Sequence, residues 1–228
     1  MKTFKALSAL LCYPSEDLIA ALPAIDAVLH EEGLLGPHRM QELQVLLHRL
    51  AEQDLYELQE NYVLLFDRSR TLSLNLFEHV HGESRDRGGA MVDLLETYRA
   101  GGFDLAGSEL PDHLPVLLEF LSTRPLAEAR ALLADAGHIL TALNERLIRR
   151  DTPYAAVLSA LITLSQTECE TPAELADIPD DDPEDLAALD AVWEEAQVTF
   201  GPDPNAGCPV SRDILARMDP RAPAQAVK

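Results

Sequence analysis

The stretch that decides how this chain folds is YVLLFDRSRTLSLNLFEHVHGESRDRGGAM, residues 62–91. It opens apolar, crosses Asp67, Arg68 and Arg70, and turns apolar again through Leu72–Phe77. Then come Glu78, His79, His81, Glu83, Arg85, Asp86 and Arg87, before Gly88-Gly89 opens a new amphipathic run. A solvated linker would not carry so much Leu and Phe, and a plain core helix would not carry so many ionisable groups. Buried structure meets a polar site here.

Outward from this stretch the pattern is helical. Leu55, Leu58, Tyr62, Leu65 and Phe66 form one stripe, with Asp54 placed as an N-cap. Before it, Phe4, Leu7, Leu10 and Leu11 give a first helix that Pro14 stops. Ser15 caps a second, with Glu16 and Asp17 in its first turn, Leu18, Leu22, Ile25 and Leu29 on its apolar face, and Pro23 as a candidate kink. Gly33, Gly36 and Pro37 make a turn into a third helix with Met40, Leu43, Leu47 and Leu50. After it, Gly89–Ala100 reads as a helix ended by Gly101-Gly102, and Pro111 as the start of the helix holding Leu114, Leu117, Leu118 and Leu121. Residues 125–150 read as one long helix whose Arg146, Arg149 and Arg150 suit its C-terminus. Thr152-Pro153 starts another, through Leu164.

Acids and prolines at about 171–184 read as an acidic loop, followed by a helix around Trp193. The Pro/Ala-rich residues 201–228 read as a disordered tail. The expected architecture is all-α: one helical domain over residues 1–200, a bundle of roughly eight to ten helices.

Composition narrows the function. The net charge is −21, from 39 acidic and 18 basic residues, which disfavours nucleic acid and favours cationic partners. Cys12, Cys169 and Cys208 form no CxxC pair, which fits a reducing, cytoplasmic compartment. No apolar run reaches the about 18 residues that span a bilayer, so no stable membrane insertion is expected. The N-terminal MKTFKALSALLCYP reads as a helix rather than a signal peptide, because Glu16 and Asp17 follow and the amphipathic pattern continues.

Four kinds of chemistry are open to the central stretch. Glu78, His79, His81 and Glu83, with His113, could ligate zinc or iron, but the spacing lacks the i, i+4 pair of HExxH. Ser84 lies near His81 and Asp86 without a nucleophile signature, and Gly88-Gly89 lacks a phosphate-loop context. The fourth is peptide recognition in a groove: Tyr62, Phe66, Leu76 and Phe77 as an apolar floor, and Glu78, Glu83, Asp86, Glu109 and Asp112 as acceptors for a ligand's Lys or Arg. The bland alternative makes the four apolar residues ordinary core and pairs the acids with Arg68, Arg70, Arg85 and Arg87. The acid excess favours a receptor for basic peptide. A metal-binding or catalytic helical protein built on His79 and His81 stands as the rival.

These residues also carry a resemblance. LFDRSRTLSLNLFEHVHGESRDRGGAMVDLL, then SELPDHLPVLLEFL and LDAVWEEAQVTF, resemble the NarJ family of nitrate reductase assembly chaperones. Tyr62–Phe66 and Glu109–His113 are similar to two short motifs of the wider TorD/DmsD group: aromatic-x-x-Leu-Phe and Glu-x-Pro-Asp-His. The resemblance spans roughly residues 5–200 and implies a cytoplasmic, all-helical, non-enzymatic chaperone with no cofactor of its own. It implies a client, the immature catalytic alpha subunit of respiratory nitrate reductase, engaged partly through its N-terminal segment. The client would be kept competent for insertion of molybdenum cofactor and an iron–sulfur cluster before membrane docking. Proteins of molybdenum cofactor biosynthesis are further implied partners. By the motif match, Tyr62, Phe66, Glu109, Asp112 and His113 are the residues to carry a leader-peptide site.

Overall fold

A computed structural model describes residues 1–81, 85–107 and 109–166, with Thr171 and Leu175; at His81 and Arg85 it describes the backbone alone. All of these belong to one unit, Met1–Glu184, which is separate from Asp185–Lys228. The expected acidic loop, the helix around Trp193 and the tail lie essentially outside the described residues.

Ten α-helices are present among the described residues: α1 (Lys2–Leu10), α2 (Glu16–Glu32), α3 (Pro37–Glu52), α4 (Leu55–Tyr62), α5 (Leu76–His81), α6 (Arg85–Ala100), α7 (Leu114–Ser122), α8 (Leu126–Asp135), α9 (Gly137–Arg149) and α10 (Ala155–Ser165). The all-α bundle expected from the Leu- and Ala-rich pattern is what forms. No helix among them is long and apolar enough to cross a membrane.

The helix starts follow local chemistry. Ser15 Oγ accepts the Leu18 amide at 3.2 Å, and Asp54 Oδ1 accepts the Tyr56 amide at 2.9 Å. Gly33 ends α2 in the left-handed region, at φ 58°. The first helix is capped from a distance instead. Glu32, the last residue of α2, accepts the amides of Lys2 at 2.7 Å and Thr3 at 2.8 Å, and the Thr3 hydroxyl at 2.6 Å. Burial alone would push the Glu32 carboxyl up, but these donors outweigh it and hold it below the usual glutamate range.

Packing places the elements. The buried face of α1, with Phe4, Leu7, Leu10 and Leu11, lies between α2 and α7. Helix α10, mostly apolar and buried, packs against α3, α8 and α9. Tyr98, fully buried on α6, stacks with Phe103 and Phe120 at centroid distances of 5.7 and 4.7 Å. At Gly101 the Phe120 ring passes so close that an added Cβ would sit 2.6 Å from it, so only glycine fits this turn.

Four sequence expectations change. The stretch 125–150 is two helices, because Ala136 leaves the helical region at φ −88°, ψ 1°. Pro111 does not start α7; His113 is its N-cap and Pro115 occupies its first turn. Helix α6 begins at Arg85, ahead of the two glycines. Arg146 does not serve an exposed helix end: it is 2% exposed and donates to the carbonyls of Thr71 at 2.8 Å and Leu175 at 2.6 Å. A buried guanidinium is tolerable when its donors meet such acceptors.

The remote cap is testable. Glu32→Ala should lower stability by about 1 kcal/mol at neutral pH, the usual worth of a cap, measured by urea unfolding. Because the folded carboxyl is held low, that contribution is complete above the ordinary glutamate pKa and disappears as pH falls through the folded value. A loss that does not shrink on acidification contradicts the assignment.

Candidate functional site

Helix α4 runs into a π-helical turn, Val63–Asp67, closed by the Arg68 amide on the Val63 carbonyl at 2.9 Å. The wider turn re-aims the side chains that follow, which is why such turns recur at functional sites. It brings Tyr62 and Phe66 together at a centroid distance of 4.9 Å. Tyr62 also meets Tyr13 edge-on at 5.6 Å, and its hydroxyl donates to the Leu11 carbonyl at 2.8 Å. Burial raises the Tyr62 phenol far above its ordinary pKa, so it stays protonated.

Beside this aromatic group opens a cleft of about 670 Å³. Tyr62, Tyr13, Ala9, Pro115 and Val116 supply its apolar wall; Asp67, Glu109 and Glu119 supply carboxylates. His113, Cys12, Ser8 and Lys5 complete the lining. Lys5 lies 3.9 Å from Glu119, a weak exposed pair. Burial holds the His113 ring below the ordinary histidine pKa, against the pull of Glu109, Asp112 and Asp67, so it is neutral at pH 7. Burial pushes Asp67 up, with His113 opposing and Glu109 adding to the rise. Burial, then Glu119 and Glu109, push the Cys12 thiol up.

Of the sequence-predicted residues, the cleft gathers Tyr62, Glu109 and His113. Phe66 is buried behind Tyr62 as core. Asp112 is not on a rim. It is 0% exposed and organises the neighbourhood from inside: its carbonyl accepts the Leu76 amide at 3.0 Å, and its Oδ2 accepts the Phe77 amide at 3.1 Å. Asp112 therefore caps α5 from across the chain, with Arg87 Nη2 at 3.6 Å balancing its charge. The Leu114 amide donates to the Leu74 carbonyl at 2.8 Å, and Tyr98 donates its hydroxyl to the Pro111 carbonyl at 2.8 Å. Phe77 and Glu78 do not line the cleft; Glu78 accepts the Ser73 hydroxyl at 2.5 Å. Asp86 is exposed in the first turn of α6, also away from the cleft. Glu83 lies outside the described residues.

The metal alternative depends on the same neighbourhood. His79 Nε2 is engaged with the Ser73 carbonyl at 2.7 Å, and burial holds its ring below the ordinary histidine pKa. Among the described residues no group of three His, Cys, Asp or Glu side chains is placed to hold a metal ion.

Sequence reading missed Asp67, Tyr13, Cys12 and Glu119 as members of this cleft. Asp67 directly follows the aromatic-x-x-Leu-Phe run, and that adjacency was a usable signal. Cys12 and Tyr13, just past the end of α1, and Glu119 of α7 had none, because only the packing of α1 on α7 brings them together.

Four comparisons bear on the chain. The family model described as nitrate reductase delta subunit matches residues 34–160. The nitrate reductase molybdenum cofactor assembly chaperone NarJ of Escherichia coli K12 is 46% identical over 166 residues, 72% of this chain and 70% of that protein. The probable assembly chaperone NarW of the same organism is 38% identical over 209 residues, 91% of this chain and 87% of its own. The probable NarJ of Bacillus subtilis is 34% identical over 163 residues, 70% of this chain and 86% of its own.

The buried anchor should be costly to remove. Asp112→Ala leaves Arg87 uncompensated and the Phe77 amide without its side-chain acceptor, a loss of about 3 kcal/mol by chemical unfolding, with Asp112→Asn intermediate. A loss no greater than that of exposed Glu109→Ala contradicts this role.

Proposed function

Because the chain belongs to the nitrate reductase delta subunit family, we propose that it is an assembly chaperone for a respiratory nitrate reductase. It acts in the cytoplasm as a binding protein rather than a catalyst. Its client is the immature catalytic alpha subunit, held partly through that subunit's N-terminal segment. Holding it keeps it open to molybdenum cofactor and iron–sulfur cluster insertion before it docks on the membrane. Proteins of molybdenum cofactor biosynthesis are the natural second partners.

The observation that carries this reading is the cleft itself: an open, apolar-walled recess with Asp67, Glu109 and Glu119 around it. An amphipathic segment would bury its apolar face against Tyr62, Tyr13 and Val116, while its Lys or Arg meets the carboxylates. Tyr62, backed by Phe66, sets the floor; Asp112 holds the turn that presents Glu109 and His113. Once the client's N-terminus has folded into the mature enzyme, it no longer offers that face, and release follows.

Isothermal titration with the alpha subunit's N-terminal peptide tests this. Asp67→Asn and Glu109→Gln together should weaken binding about tenfold or more, as loss of charge-assisted contacts does. Absence of binding, or equal binding by the double variant, contradicts the cleft.

The neutral His113 adds a pH dependence. As pH falls below the ordinary histidine range, the ring gains a proton. The new charge faces Asp67, Glu109 and Asp112 and cancels part of the field that attracts a basic peptide. Affinity should therefore fall on acidification, with a shallower fall in His113→Gln. An identical profile in that variant removes His113 from the account.

A further inference from the structure

Behind the π-helical turn lies a second recess, of about 240 Å³. Leu64 and Leu65 of the turn face it, whereas Tyr62 and Asp67 face the cleft. The wall between the two is aromatic: Tyr154 meets Phe66 at a centroid distance of 5.2 Å and Tyr62 at 6.2 Å. The rim comes from the bend joining α9 to α10, Arg150–Pro153, where Asp151 adopts the left-handed φ of 49°.

Its lining differs in sign from the rest of the protein. In a chain of net charge −21, two guanidiniums, Arg49 and Arg150, line one small recess together with Asn61 and Gln53. Arg49 gives its Nε–H to Gln53 at 3.0 Å and, among the described residues, pairs with no carboxylate. Asp151 is the one acidic residue among the described residues of the lining. Tyr154 supplies the unexplained feature. It is 5% exposed, and its hydroxyl is buried with no hydrogen-bond partner. A buried donor left unmade is costly, so such a group calls for an acceptor. Burial pushes its pKa up to about 12 against the opposing field of Arg49, so the group is a donor, and it lies within reach of that charge.

We propose that this recess binds a small organic anion, its phosphate or carboxylate head taken by Arg49 and the Tyr154 hydroxyl, and its apolar body set against Leu46, Leu50 and Leu58. Guanidinium pairs with either head in the same forked geometry. The volume admits a single-ring compound rather than a peptide helix. This site is independent of the client cleft, from which the Tyr62–Phe66–Tyr154 wall divides it.

The test is an NMR titration of the full chain with phenyl phosphate and with benzoate, using benzyl alcohol as the uncharged body. At least one anion should bind saturably, and the tighter of the two identifies the head group. Arg49→Gln, at an exposed position, and Tyr154→Phe, which removes a single oxygen, should each weaken it about tenfold, the worth of one charge-assisted hydrogen bond. Glu109→Gln should leave it unchanged. Absence of saturation by about 10 mM, equal binding of benzyl alcohol, or an affinity unaltered in either recess variant overturns the proposal.

Discussion

Asp112 uses both its carbonyl and its carboxylate on the first two amides of α5, while Arg87 lies 3.6 Å away with the compensating charge. Two segments remote in sequence are fixed to each other by this one residue. The α5 start is tied to the turn between α6 and α7, and the adjoining Leu74–Leu114 backbone bond extends the seam. Burial is what gives the arrangement its strength, since a carboxylate with 0% exposure has no water to fall back on. Glu109 and His113 flank Asp112 in the chain, so the same anchor sets where they stand at the cleft. The neighbourhood is structural inside and available outside.

A division of labour follows within the short motifs. In Glu109–His113, the outer residues face the cleft and the inner Asp112 holds the turn. In Tyr62–Phe66, the first aromatic ring faces the cleft and the last backs it from the core. The π-helical turn makes this possible, because it places consecutive parts of one segment on two different recesses.

Local chemistry was legible in the sequence. Ser15 and Asp54 cap as their positions suggest, Gly33 ends its helix, and the apolar stripes of α1 to α4 are the buried faces. What the sequence concealed depends on distance. Glu32 caps a helix whose start is 29 residues away, and Arg146 reaches a carbonyl 75 residues away. Neither leaves a trace in a periodicity. The break at Ala136 had only Gly137 to announce it, inside an otherwise continuous helical pattern. Of the motif residues, Tyr62, Glu109 and His113 line the cleft, whereas Asp112 read as one more rim acid because an alternation of charges does not report burial. Helix α1's share of the cleft follows from tertiary packing alone.

The central claim is that the client peptide occupies the cleft beside the π-helical turn. Amide hydrogen exchange on the full chain, with and without the alpha subunit's N-terminal peptide, tests it most directly. The account predicts slowed exchange in residues 62–68 and 109–119 and at the end of α1. Protection confined to α3, α9 and α10, with these segments unchanged, would contradict it.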